Sequence, residues 1–311
     1  MRPADSSTRA TRVLDWLLRK LRLTPAAREK ALDYLVLTRM DRPIGALLLL
    51  WPTWWALWLA AGDFPPVKLL VVFTLGVFAM RAAGCAINDF ADRKLDPQVA
   101  RTAGRPIASG RVTPREALIV FASLLVLAFV LVLFTNRLTI LLSFAGAALA
   151  AIYPFTKRYT YMPQVVLGAA FGWSIPMAFA AVSGTVPPLG WLLFIANILW
   201  SVIYDTEYAM VDREDDIKAG AKSTAILFGD ADLPILGILM GTFALAMLFA
   251  GQRASLGWPY WVALIVSLGL FAHQLWSIRT RDRATCLQAF RNNNWLGMVL
   301  WIGIVLALGV R

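Results

Sequence analysis

The chain has 311 residues, of which 59% are hydrophobic and only 16% charged, and its mean hydropathy is +0.64. Soluble domains run at about 45–50% apolar and about 25% charged, so soluble globular, disordered and collagen-like classes are excluded. The net charge of +11 reflects membrane topology and not nucleic-acid binding, as the loop charges below show; two cysteines without C-x-x-C spacing exclude a disulfide scaffold or a cysteine zinc site, and the single histidine, His273, removes most histidine-based chemistry.

Residues 1–42 hold ten Lys and Arg and no early apolar run, so they are not a signal peptide. Within them, 13–23 (VLDWLLRKLRL) mixes Trp and Leu with Arg and Lys. That pattern suits either a helix lying on an anionic leaflet or a solvated tail. Residues 43–311 read as one transmembrane domain. Crossing a bilayer takes about 20 mostly apolar residues. The stretches 44–61, 67–87, 116–134, 138–154, 164–182, 189–208, 233–250, 258–275 and 295–310 meet that demand. Lys and Arg alternate across them: 25 fall on one side, four on the other, and Arg81 lies inside a span. The positive-inside rule then makes the N-terminus cytoplasmic and the C-terminus external. The expected fold is an all-α membrane protein of nine helices. The external loops are short, whereas the cytoplasmic loops after spans 2 and 6 run to roughly thirty residues, a length usually reserved for function.

Those two loops carry the acids. After span 2 come Asn88, Asp92 and Asp96, spaced i, i+4, i+8. On a helix continuing from that span they share one face. Span 6 leads to Asp205, Asp212 and Asp216, again at near-helical spacing. Stacked acids repel unless a counter-ion intervenes, and a hard divalent cation with oxygen ligands removes the penalty; Mg²⁺ is usual where phosphates share the site. Neither box has the spacing of a calcium-binding EF-hand. Arg81 lies seven residues before Asn88, on the same face and about two turns deeper. An intramembrane arginine needs a polar cavity or a partner. The second loop half (Arg101, Arg105) and the end of span 4 (Tyr153, Pro154, Lys157, Arg158) add cations suited to phosphate or carboxylate. Pro154 is expected to end its helix. In an idealised charge count, Asp92, Asp96, Asp212 and Asp216 balance two Mg²⁺. Arg81, Arg101 and Lys157 then balance a diphosphate.

At these residues the chain resembles the UbiA family of intramembrane aromatic prenyltransferases. The family pattern N-D-x-x-D-x-x-x-D is matched by Asn88-Asp89…Asp92…Asp96, and D-x-x-x-D by Asp212…Asp216. RMDRPIGALLLLWPTWWAL, YPFTKRYTYMPQVVLGAAFGWSIPMAFAAV and YDTEYAMVDREDDIKAGAKSTAILFG look like the branch acting on 4-hydroxybenzoate. The resemblance implies nine helices around a central cavity, capped by the two acid-bearing loops. It implies that Asn88, Asp92, Asp96, Asp212 and Asp216 hold two Mg²⁺ and, through them, a polyprenyl diphosphate. Arg101, Lys157 and Tyr153 would hold the diphosphate. Asp212 would help deprotonate the phenol. The implied reaction forms an allylic cation that is attacked by the ring carbon ortho to the hydroxyl, a step of ubiquinone biosynthesis. For the benzoate carboxylate, Arg42 is the first candidate, with Arg81 and Arg158 as alternatives. Another aromatic or quinone-type acceptor is the rival within this chemistry. From another class, a transporter of a divalent cation or phosphorylated solute also needs intramembrane charge. Here, though, the far half of the bundle is nearly uncharged. The expected location is the bacterial inner membrane, with the mitochondrial inner membrane as second choice, and the lipid bilayer as the protein's surroundings.

Overall fold

The computed structural model describes residues 9–20, 24–99 and 101–310. Among them lie nine helices or helix pairs long and apolar enough to cross a membrane. Two shorter helices come first, α1 (Arg9–Lys20) and α2 (Pro25–Leu37). α1 covers most of the amphipathic stretch 13–23; residues 21–23 and 1–8 lie outside the described residues. Val13, Trp16 and Leu17 point outward from α1, and Leu18 is buried. Thr24 caps α2 by accepting from Ala27 N.

The spans are α3 (Ile44–Ala61), α4 (Val67–Ala91), α5 (Pro114–Val132), α6 (Arg137–Thr156), the pair α7 (Pro163–Gly172) and α8 (Ser174–Ser183), α9 (Pro188–Ala219), a short α10 (Thr224–Phe228) leading into α11 (Asp232–Arg253), α12 (Trp258–Ser277) and α13 (Arg283–Gly309). The break between α7 and α8 falls at Trp173. Pro176 explains it: it has no N–H for the carbonyl of Gly172, and its ring presses on that carbonyl.

α3 and α9 are buried along most of their length, whereas α5 and α6 bury little and present Ile119, Val126, Leu141 and Phe144 outward. Indole N–H groups tie the centre together. Trp55 donates to Gly297 O at 3.0 Å and Trp200 to Asn293 Oδ1 at 2.8 Å. α13 approaches closely because of Gly297, where a Cβ would meet Trp51 at 2.6 Å and Trp200 at 2.8 Å.

Three local expectations need correction. α4 does not run on through Asp96. It ends at Ala91 with Asp92 as C-cap, and Asp96 opens a 3-10 turn, Asp96–Gln98. Pro97 disfavours α-helical backbone at Asp96, which stops the helix earlier. The long loop after span 6 is mostly helix: α9 continues to Ala219, since no breaker intervenes, and Gly220 ends it at φ +71°. Pro154 lies inside α6, which continues to Thr156. So close to a helix end, one missing N–H costs little.

Candidate active site

Two chambers meet where α4 and α9 finish. One is a cavity of about 1340 Å³ whose wall includes Val72, Phe73, Phe129, Phe144 and Met177. The other is a cleft of about 160 Å³ lined by Asn88, Asp92, Asp96, Lys157, Asp212 and Asp216. Arg101, Tyr153, Asp205 and Tyr208 border both, so the chambers adjoin. The two acid boxes, more than a hundred positions apart in the chain, thus face one space.

Each buried acid there meets a base from another element. Asn88 Nδ2 donates to Asp92 Oδ2 at 3.2 Å, and Lys157, the C-cap of α6, donates to the same oxygen. Arg101 Nε lies 2.9 Å from both Asp212 oxygens. Its guanidinium stacks 4.7 Å from the Tyr208 ring centroid and donates to that hydroxyl. Arg105 donates to both oxygens of Asp96 at 3.0 Å. It also pairs with Asp89 at 3.2 Å, while Arg39 holds Asp89 at 2.9 Å. Clustered carboxylates stay ionised only with such counter-charge. Burial still pushes the Asp96 carboxyl above the usual range, Arg105 working against it and Asp92 and Asp89 adding to it.

Among the described residues no three acids, histidines or cysteines are grouped as a metal site, and Lys157 and Arg101 are paired to Asp92 and Asp212. The donor set still fits a hard cation. Its atoms are all oxygens, and Asp92 Oδ1 is buried with no hydrogen-bond partner.

The three candidates for a carboxylate partner separate clearly. Arg81 lines the cavity from α4, its Nε buried and unpartnered and its guanidinium 5.3 Å from the Phe171 ring centroid. It packs on Gly45, where a Cβ would lie 2.4 Å from Arg81 Nη2. Arg42 is at the cavity mouth, exposed, and 3.6 Å from Asp41. Arg158 lines neither chamber; it donates to Ala91 O at 2.6 Å, satisfying a carbonyl at the end of α4. Sequence reasoning missed Arg39 and Tyr208, and gave Asp89 no role beyond its place in the motif. Tyr208 was findable, being one turn before Asp212 on the same face. The Arg39–Asp89–Arg105 chain was not, since its members come from separate elements.

Residues 49–303 match the family model described as the UbiA prenyltransferase family. The 4-hydroxybenzoate octaprenyltransferase of Pseudomonas syringae pv. syringae (strain B728a) is 56% identical over 296 residues, which is 95% of this chain and 99% of that protein. The protein of the same name from Xylella fastidiosa (strain M23) is 57% identical over 274 residues, 88% of this chain and 92% of that one. The apo structure of a UbiA homolog from Aeropyrum pernix K1 aligns with a TM-score of 0.75 at 24% identity, over 84% of this chain and 97% of that one. A UbiA homolog from Archaeoglobus fulgidus bound to GPP and Mg²⁺ aligns with a TM-score of 0.66 at 19% identity, over 88% and 99%. At those identities the structural likeness is one of fold.

Proposed function

The chain belongs to the UbiA prenyltransferase family, and from that premise we propose that it transfers a polyprenyl group from its diphosphate to carbon 3 of 4-hydroxybenzoate, in ubiquinone biosynthesis. The relatives' names make octaprenyl the donor length we assign. One observation supports the reading above others: an acid-and-base cleft adjoins a large, mostly apolar cavity that holds an unpartnered guanidinium nitrogen.

The isoprenoid tail suits the apolar cavity and the diphosphate suits the cleft. Asn88, Asp92, Asp96, Asp212 and Asp216 would hold Mg²⁺, two ions in our reading, whose positive charge would offset the negative charge building on the departing diphosphate. Lys157 and Arg101 leave Asp92 and Asp212 for the diphosphate oxygens, and Tyr153 borders them. The C1–O bond breaks, its electrons go to the diphosphate, and an allylic cation remains. Apolar walls keep water from that cation. Arg81 takes the acceptor carboxylate, because it lies within the cavity while Arg42 stands at the mouth. Carbon 3 attacks, and its proton passes to the released diphosphate, which restores the ring. Asp205 borders both chambers and takes the phenol proton, giving it back to the product, in preference to Asp212, which would hold Mg²⁺. The multi-pass chain resides in the bacterial inner membrane with the cleft on the cytoplasmic side.

The test is turnover in nanodiscs with octaprenyl diphosphate, 4-hydroxybenzoate and Mg²⁺. An EDTA-sensitive 3-octaprenyl-4-hydroxybenzoate is expected. Product only with homogentisate or dihydroxynaphthoate keeps the chemistry and overturns the acceptor. Folded protein without product from any acceptor overturns the reaction.

A further inference from the structure

The large cavity extends past the bundle, under α1 and α2, where Arg12, Arg28, Arg39 and Arg111 join its wall beside Arg42 and Arg291. Most of these arginines are spoken for. Arg28 pairs with Asp15 at 3.0 Å, Arg39 with Asp89 at 2.9 Å and Arg111 with Asp33 at 3.0 Å. Arg12, on α1, and Arg291, on α13, are exposed and in no ion pair among the described residues. Arg42 is also exposed, and its 3.6 Å contact to Asp41 leaves Asp41 Oδ1 unpartnered. Two helices and the turn before α3 thus contribute surplus positive charge around one opening that leads to Arg81.

We infer that this opening is the route by which the aromatic acid reaches the cavity, and that Arg12, Arg42 and Arg291 steer it there. The inference rests on the acceptor assigned above. A carboxylate is costly to carry through hydrocarbon, so it must arrive through water. The walls offered by α5 and α6 are apolar and face outward, which suits the isoprenoid donor and not an anion. A charged rim raises the local concentration of an oppositely charged small solute and its capture rate, and salt screens the effect. Steering of this kind acts on kcat/KM for the acid alone. It leaves the chemical step and the donor untouched, since Arg12 and Arg291 line neither the acid cleft nor its bases.

The experiment compares the wild type with R12E/R291E, R12Q/R291Q and R12K/R291K in nanodiscs, at low and high salt. For the charge-reversed pair, kcat/KM for 4-hydroxybenzoate is expected to fall three- to tenfold at low salt, with less difference at high salt. The neutral pair should fall in between, and the lysine pair should match the wild type. kcat and the donor KM should stay the same throughout. An unchanged acceptor KM in the charge-reversed pair overturns the inference. So does an equal loss for donor and acceptor, or a loss that the lysine pair shares. Absence of product from the wild type strikes the acceptor assignment itself, which separates the two failures.

Discussion

Arg81 fits against α3 because Gly45 supplies no side chain there; a Cβ would lie 2.4 Å from Nη2. Gly45→Ala is therefore expected to push the guanidinium away from its position without unfolding the bundle, the clashing atom being the end of a flexible side chain. The acceptor KM should rise about tenfold, equal to about 1.4 kcal/mol, with a smaller change in kcat. An unchanged acceptor KM in steady-state kinetics contradicts the role given to Arg81. In the cleft, Asp92→Ala removes the partner of Lys157, and Asp212→Ala that of Arg101. Turnover should drop below detection in both at saturating Mg²⁺, with helical circular dichroism retained. Near wild-type activity in either would remove that acid from the metal-holding set.

The helix ends decide where the acids sit. α9 carries Asp212 and Asp216 clear of its apolar part because it stays helical until Gly220, whose φ of +71° suits glycine. Gly220→Ala should cost about 1 kcal/mol through that backbone conformation. It should also slow turnover by disturbing the turn that bears Asp216; thermal unfolding and kinetics together check this. α4 depends on Arg158, which donates to Ala91 O one residue before Asp92. Arg158→Gln should lower stability by about 1 kcal/mol while leaving the acceptor KM unchanged. A raised acceptor KM there would restore Arg158 as a carboxylate partner. The i, i+4 pattern was legible for Asp212 and Asp216 because nothing interrupts their helix. It was misleading for Asp96, where Pro97 ends the regular backbone and a 3-10 turn takes over.

For the whole molecule, the charge asymmetry of 25 against four predicts that the end with the cleft faces the cytoplasm. Cysteines introduced at Ser109, near the cleft end, and at Thr185, between α8 and α9, test this with a membrane-impermeant maleimide. The natural Cys85 and Cys286 are buried and give little background. In intact spheroplasts the cysteine at 185 should label and that at 109 should not; the reverse pattern overturns the topology. The bundle is held centrally by α3, α9 and α13 through their tryptophans, with Gly297 at a close approach. Gly297→Leu should overpack that contact and cost about 1–3 kcal/mol or more.

Hydropathy and charge are local properties, and a bilayer imposes the same length on every span. The class of protein, the number of crossings, the side that carries the basic loops and the two acid boxes therefore follow from the sequence by itself, and with them the resemblance to the UbiA family. Which base pairs with which acid does not follow. Lys157 meets Asp92, Arg101 meets Asp212 and Arg105 joins Asp89 to Asp96 only because separate helices pack to one end. The same packing sorts three equivalent-looking arginines: Arg81 into the cavity, Arg42 to its mouth and Arg158 onto a helix end. Contacts between residues distant in the chain are set by shape complementarity among helices, and no local pattern encodes them.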